Sequence, residues 1–127
     1  MRSGIYPDTF LNKIVYHKQK GIFYQITHLP KRYTEESKTH NGEYYTTVER
    51  LTDNKSNQRA STVLHINKNS IKDIILMEHK HGLDKETLQK EIEKNKNNKE
   101  YFKTNLMIDE LLTKDFKEYI NDIHNGV

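Results

Sequence analysis

Histidines in the middle of the chain have the spacing that most resembles a metal site. His79 and His81 flank Lys80, and Glu78 precedes them. In an extended segment both imidazoles point to one side, where His65 could add a third ligand to a zinc site, which needs three or four. Lys80 adds positive charge between the two histidines. A solvated strand end is the preferred interpretation, and we expect no metal and no cofactor.

Other catalytic signatures are absent from the sequence. It contains no cysteine, so it can form neither a disulfide framework nor a thiolate metal site. No Gly-x-Ser-x-Gly elbow is present, and the five glycines form no phosphate-binding loop. Neighbouring carboxylates at 35–36 and 109–110 are typical of solvated surface charge. The sequence therefore predicts a non-enzymatic protein without catalytic residues.

Basic residues interleaved with tyrosines are the stronger indication of function. Residues 1–82 hold thirteen Lys and Arg against eight Asp and Glu, a balance of +5, whereas residues 83–127 have a balance of −2. Lysine and arginine neutralise phosphates, and exposed tyrosine rings stack on unpaired bases. We expect nucleic acid, preferably single-stranded, to contact Lys18, Lys20, Lys31, Arg32, Tyr33, Tyr44, Arg50, Lys55 and Arg59.

A structural explanation of the same residues stays open. Tyr16, Tyr24 and one of Tyr44 and Tyr45 would lie in the core, and the lysines would only keep the protein soluble. The chain has seventeen Lys and four Arg, a ratio that AT-rich coding tends to produce whatever the function. The arginines, all within residues 1–82, are therefore more informative than the lysines.

Apolar residues at helical spacing near the C-terminus point to a different function. From about Lys99 onwards the spacing predicts one amphipathic helix. We expect its apolar stripe to pack back on the N-terminal domain, or alternatively to form an interface with a protein partner or a second copy of the chain. The protein would then be an interaction module, such as an inhibitor or adaptor. The stripe consists of Phe102, Leu106, Leu112, Phe116 and Ile120.

Short strands are predicted upstream of the helix. Residues 13–29 form a predicted hairpin with Gly21 in the left-handed position of its turn. A helix over residues 8–20, with Asp8 as its N-cap, is the competing prediction. Residues 30–42 form a long polar loop, a second candidate surface for a protein partner. The remaining predicted elements are strands at 43–51, 61–66 and 74–77, and a 3₁₀ turn within 67–73.

A change from strand to helix is predicted at Gly82. Asp84 is a candidate N-cap, with Leu83 and Leu88 placed to contact each other across the helix start. The Lys- and Asn-rich stretch at 94–98 predicts a break before the last helix.

These elements predict an α+β protein, in which a small SH3-like five-stranded β-barrel precedes one or two C-terminal amphipathic helices. The likeness to SH3-like barrels is one of element order and carries no function. Residues 1–82 would form the basic β-rich domain. Residues 83–127 would form a helical segment packed on the barrel or on a partner.

A small barrel followed by a helix resembles the MazF-type endoribonuclease toxins. Those toxins carry a glycine- and arginine-containing loop, ending Arg-Pro, between their first two strands. The corresponding connection here is Lys18-Gln19-Lys20-Gly21, and Pro30-Lys31-Arg32 has the opposite order and comes later. The residues that would do the chemistry are missing, so a ribonuclease is only a lesser alternative.

The chain is expected to be soluble and cytoplasmic. No apolar run approaches the roughly 20 residues that span a bilayer, and residues 1–7 lack the apolar core of a signal peptide. A small, basic, Lys- and Asn-rich protein without cysteine fits an accessory product of a phage or plasmid.

Overall fold

A computed structural model of the chain describes residues 9–32, 43–54 and 61–124. Within these residues seven strands form one antiparallel sheet, together with three α-helices and a 3₁₀ turn at Ile71–Asp73. The expected α+β class is confirmed. The strands are β1 (Ile14–His17), β2 (Ile22–Ile26), β3 (Lys31–Arg32), β4 (Tyr44–Arg50), β5 (Ser61–Ile66), β6 (Ile74–His79) and β7 (Leu106–Ile108). The helices are α1 (Lys85–Lys94), α2 (Lys99–Asn105) and α3 (Glu110–His124).

The described strands form an open sheet. Their order is β5, β4, β2, β1, β6 and β7, and β3 pairs with β4 along the edge that β4 shares with β2. No described pairing joins β5 to β7, so these two strands are the edges of the sheet. The predicted closed SH3-like barrel is therefore not confirmed.

The β1–β2 hairpin forms as the sequence predicts. Gly21 has a φ of +69°, the left-handed region that glycine enters without steric cost. Its N–H donates to the carbonyl of His17 at 2.8 Å and closes the turn. The competing helix over residues 8–20 is wrong for the described residues, because residues 14–17 pair as a strand with both β2 and β6.

The sheet is covered on both faces. Side chains alternate along each strand, so Val15 and Tyr24 contribute to one cluster and Ile14 and Phe23 to the other. The first cluster is completed by α3 and the second by α1 and α2. The α3-side cluster includes Phe10, Val15, Tyr24, Ile26, Val48, Leu76, Phe116 and Ile120. The other cluster consists of Ile14, Phe23, Leu51, Ile92, Phe102 and Leu106.

An aromatic contact joins the start of the described chain to its last helix. Phe10 is fully buried, and its ring centroid lies 5.2 Å from that of Phe116, edge to face. Tyr119 approaches the same ring at 5.5 Å. The core therefore draws on both halves of the sequence, while the division into domains at residue 82 stays a prediction.

The C-terminal segment contains a strand that the sequence did not reveal. A continuous helix from Lys99 is wrong, because residues 106–108 pair with β6. Asp109 then starts α3, since its Oδ1 accepts the N–H of Leu112 at 2.9 Å. Pairing with an open strand edge outweighs helical spacing over these three residues.

The start of α1 and the break that follows it are confirmed. Asp84 is the N-cap, and its Oδ1 accepts the N–H of Thr87 at 2.7 Å. The helix ends at Lys94, and α2 begins at Lys99. None of the described helices has the length and apolar character that crossing a membrane requires.

Candidate interaction surfaces

The residues expected to bind nucleic acid do not form one patch. Lys18 and Lys20 are exposed in the β1–β2 turn. Lys31 is exposed on β3 and pairs with Tyr45, five residues along β4 from Arg50, which corresponds to roughly 17 Å of strand. Arg32 lies beside Lys31 in β3. The predicted residues Tyr33, Lys55 and Arg59 lie outside the described residues.

Two of the predicted contacts are covered or engaged within the chain instead. Tyr44 is only 4% exposed, so its ring cannot stack on a base in this fold. Arg50 is half-buried and hydrogen-bonds the hydroxyl of Tyr24. Burial raises the pKa of Tyr24, and the nearby guanidinium partly opposes this. The structure therefore favours the structural explanation for these tyrosines.

Lys99 joins the lysines of the β1–β2 turn. A methyl group added at Gly21 would lie 3.5 Å from Lys99 Nζ, so the ammonium group sits against the turn. The same ammonium lies 3.7 Å from the carboxylate of Asp53. The β1–β2 turn, at one end of the sheet, therefore carries Lys18 and Lys20 and has Lys99 beside it. No local sequence pattern predicts this, because α2 is far along the chain from the turn.

His79, a candidate metal ligand that we expect to bind no metal, belongs to a hydrogen-bond chain. Its Nδ1 accepts the backbone N–H of His81 at 3.1 Å, and its Nε2 lies 3.2 Å from the Tyr101 hydroxyl. That hydroxyl donates to Glu91 Oε2 at 3.3 Å. Both ring nitrogens are occupied in a neutral imidazole with its proton on Nε2. The chain ties β6 to α2 and α1.

The electrostatics of this chain favour the neutral imidazole. Burial lowers the pKa of His79, His81 lowers it further, and Glu91 opposes both. Burial together with the Glu91 carboxylate raises the pKa of Tyr101. His65 lies on β5 at the far edge of the sheet. Among the described residues no group of three or more His, Cys, Asp and Glu is placed to hold a metal ion.

A cleft of about 460 Å³ lies beside His79. It is lined by residues within 9–14, 77–79, 82–88 and 109–112. Its charged lining residues are of both signs, so it favours neither an anion nor a cation. The charged residues are Lys13, Glu78, Lys85 and Asp109.

The apolar stripe, expected to pack back on the N-terminal domain or alternatively to contact a partner, is buried within the chain. Four of its side chains are at most 5% exposed, and Leu112 is half-buried. They pack in the two core clusters described above, so they offer little surface to another molecule. The four are Phe102, Leu106, Phe116 and Ile120.

Other apolar residues of the same segment are exposed. Met107 is 42% exposed, Ile108 51% and Leu111 71%. We call these three residues the β7–α3 patch. Ile108 also lines a groove of about 400 Å³ beside Ile75 and the exposed side of α3. The remaining large apolar side chain exposed to this degree in the described chain, Val63 at 42%, lies on β5 at the opposite edge.

The amino-acid sequence alone does not predict this patch. Leu111 and Ile108 lie in the same apolar segment as the predicted stripe, but helical spacing cannot show which apolar residues of a segment are covered. Comparison with protein-family models, with curated proteins and with solved structures yields no match for the chain.

Proposed function

We propose that the chain is a protein-interaction module whose partner docks on the β7–α3 patch. The observation that carries this proposal is the clustering of three large, exposed apolar side chains within five residues, at an edge of the sheet. Clustered apolar side chains on a monomer mark interaction sites, whereas single exposed ones are ordinary.

The energetics of docking support the patch as the centre of an interface. Full burial of one large aliphatic side chain contributes about 1.5–3 kcal/mol. Ile108 is half exposed and Leu111 largely exposed, so a partner that covers either residue would bind several-fold more tightly than one that does not. Exposed polar residues of α3, including Glu110 and Lys114, border the patch. An apolar centre with a polar rim is the usual anatomy of a protein interface.

The experiment compares capture of protein partners by immobilised wild type, Leu111→Glu and Val63→Glu. We expect the wild type and Val63→Glu to retain the same partner and Leu111→Glu to lose it, because a buried charge at the patch opposes docking. Unfolding curves must show that both variants fold. Equal partner retention by all three proteins, together with unchanged self-association of Leu111→Glu, would refute the proposal.

Nucleic-acid binding is a second candidate, favoured by the lysines around the β1–β2 turn. If Lys18, Lys20 and Lys99 each meet a phosphate, the logarithm of affinity should fall with the logarithm of salt at a slope of about −2 to −3. Replacing Lys18 and Lys20 by glutamate should remove two phosphate contacts and so reduce the magnitude of that slope by about 1.4–1.8. Lys31→Glu is the matched control, because Lys31 lies on β3 beside the first residues of β4, far from the β1–β2 turn. Undetectable binding of DNA and RNA at low salt would remove this candidate.

Narrower expectations belong to the same proposal. They are a non-enzymatic role, a cytoplasmic location, and service as an accessory protein of a phage or plasmid. The proposal also includes the likeness to SH3-like barrels, because such folds bind peptides through grooves and sheet edges. Ribonuclease activity of the MazF type is the least supported alternative, since the residues for that chemistry are missing.

A further inference from the structure

The outer edge of β7 presents backbone groups that another strand can pair with. Asp109 N–H donates to the carbonyl of Leu76, and Lys80 N–H donates to that of Asn105, each at 2.9 Å. Residues of an antiparallel ladder alternate in the direction of their backbone groups. Ile108 therefore directs its N–H and C=O away from β6, on a strand that ends the described sheet.

We propose that the partner at this edge is a second copy of the chain, whose β7 pairs antiparallel with the first about a two-fold axis at Ile108. This inference rests on the proposed function, since it uses the same patch. Under such symmetry one residue supplies both halves of the contact. The N–H of each Ile108 donates to the carbonyl of Ile108 in the other copy.

Charge around β7 selects this orientation. Lys103 is exposed in α2 just before the strand, and Glu110 is exposed just after it. Antiparallel pairing at Ile108 places position 110 opposite position 106, and so brings Glu110 of each copy towards Lys103 of the other. Parallel pairing would bring like charges together. Rim charges of this kind fix the orientation of an interface more than its strength.

The pairing also covers the exposed apolar side chains. Directly opposed, hydrogen-bonded residues in antiparallel strands have Cα atoms about 5.5 Å apart, with their side chains on one face. The two Ile108 side chains would therefore contact each other. Leu111, which is 71% exposed in one chain, would lie at the margin of the same contact.

The experiment is sedimentation of the full chain across micromolar concentrations, for the wild type and two sets of variants. Ile108→Pro removes an N–H that points away from β6, so it should spare the fold and abolish the dimer. Lys103→Glu and Glu110→Lys should each weaken the dimer about tenfold, because two pairs become repulsive. The double variant Lys103→Glu, Glu110→Lys should restore wild-type affinity.

Each other outcome identifies what has failed. A wild type that is monomeric at every concentration overturns the second copy as partner, yet leaves the patch open to a different protein. A dimer that Leu111→Glu abolishes and Ile108→Pro leaves intact overturns strand pairing. If Ile108→Pro does not fold, the charge series decides, and failure of the double variant to recover overturns the orientation. The proposed function itself fails only if Leu111→Glu changes neither self-association nor partner capture.

Discussion

The buried stripe and the exposed β7–α3 patch occupy the same short stretch of sequence and have opposite surroundings. Phe102 and Phe116 are fully buried against opposite faces of the sheet, whereas Ile108 and Leu111 are at least half exposed. Both groups have the same hydrophobic character. They differ in whether a face of the sheet packs against them, and that depends on residues distant in sequence.

The difference shows how a sheet edge determines which apolar residues remain exposed. Three residues of strand at 106–108 turn the chain from α2 on one face to α3 on the other. The helices then bury their inward side chains in separate clusters. The connecting strand and the first turn of α3 are left at the edge, with no further strand beside them in the described chain.

The largest expected effect is the loss of stability when a fully buried residue of the stripe is truncated. Phe116→Ala should lower the free energy of unfolding by about 3–5 kcal/mol, because it removes a fully buried ring and leaves a cavity. Leu111→Ala is the control in the same helix, with an expected change below about 0.5 kcal/mol. Urea denaturation of both variants measures the difference. Comparable losses for the two would show that Leu111 is covered.

An intermediate effect is expected where α3 covers the edge of β6. The N–H of the fully buried Leu76 donates to Thr113 Oγ1 at 2.9 Å. Thr113→Val keeps the shape but leaves this N–H without its acceptor, which should cost about 1–3 kcal/mol in the free energy of unfolding. Thr104→Val, at an exposed position of α2, should change it little. Equal effects would mean that helix propensity, and not the edge contact, is responsible.

The smallest expected effect is a dependence of stability on pH. Burial lowers the pKa of His79 and of His17 below the ordinary value of 6.5. The unfolded chain then binds protons more tightly, so the free energy of unfolding should fall as pH decreases below about 6.5 and level off above it. His79→Gln should reduce this slope, and His28→Gln, at an exposed position, should not.

Denaturation between about pH 7.5 and 5.5 measures the dependence with little contribution from carboxylates. A slope that is unchanged in His79→Gln would show that the neutral imidazole does not contribute to stability. In that case the hydrogen-bond chain to Tyr101 and Glu91 would tolerate protonation.

Local signals in the sequence predicted the elements that depend on local chemistry. Gly21 in the hairpin turn and Asp84 at the start of α1 act through their immediate neighbours, and both predictions are confirmed. The strand predicted at residues 61–66 matches β5 at both ends. Such features need only turn or cap chemistry and alternation over a few residues.

Features that depend on distant residues were missed. Residues 106–108 form a strand because they pair with the edge of β6. Their helical spacing in the sequence instead predicts a helix. Lys99 reaches the β1–β2 turn only through the packing of α2. Tyr44 is a candidate base contact and also, as one of Tyr44 and Tyr45, a candidate core residue, because period-two alternation does not show which face of β4 is covered. The location of the candidate surface therefore depends on the sheet and not on local sequence patterns.

The ring contact between Phe10 and α3 has a consequence for biosynthesis. Phe10 packs against Phe116 and Tyr119, which are among the last described residues to be made. A nascent chain that still holds α3 inside the ribosome has every described strand of the sheet but lacks the side chains of α3 that complete one of the two core clusters. Because domains fold as units, the final cooperative step waits until α3 has been made and has left the ribosome. Until then, an unfinished apolar face is open to chaperones.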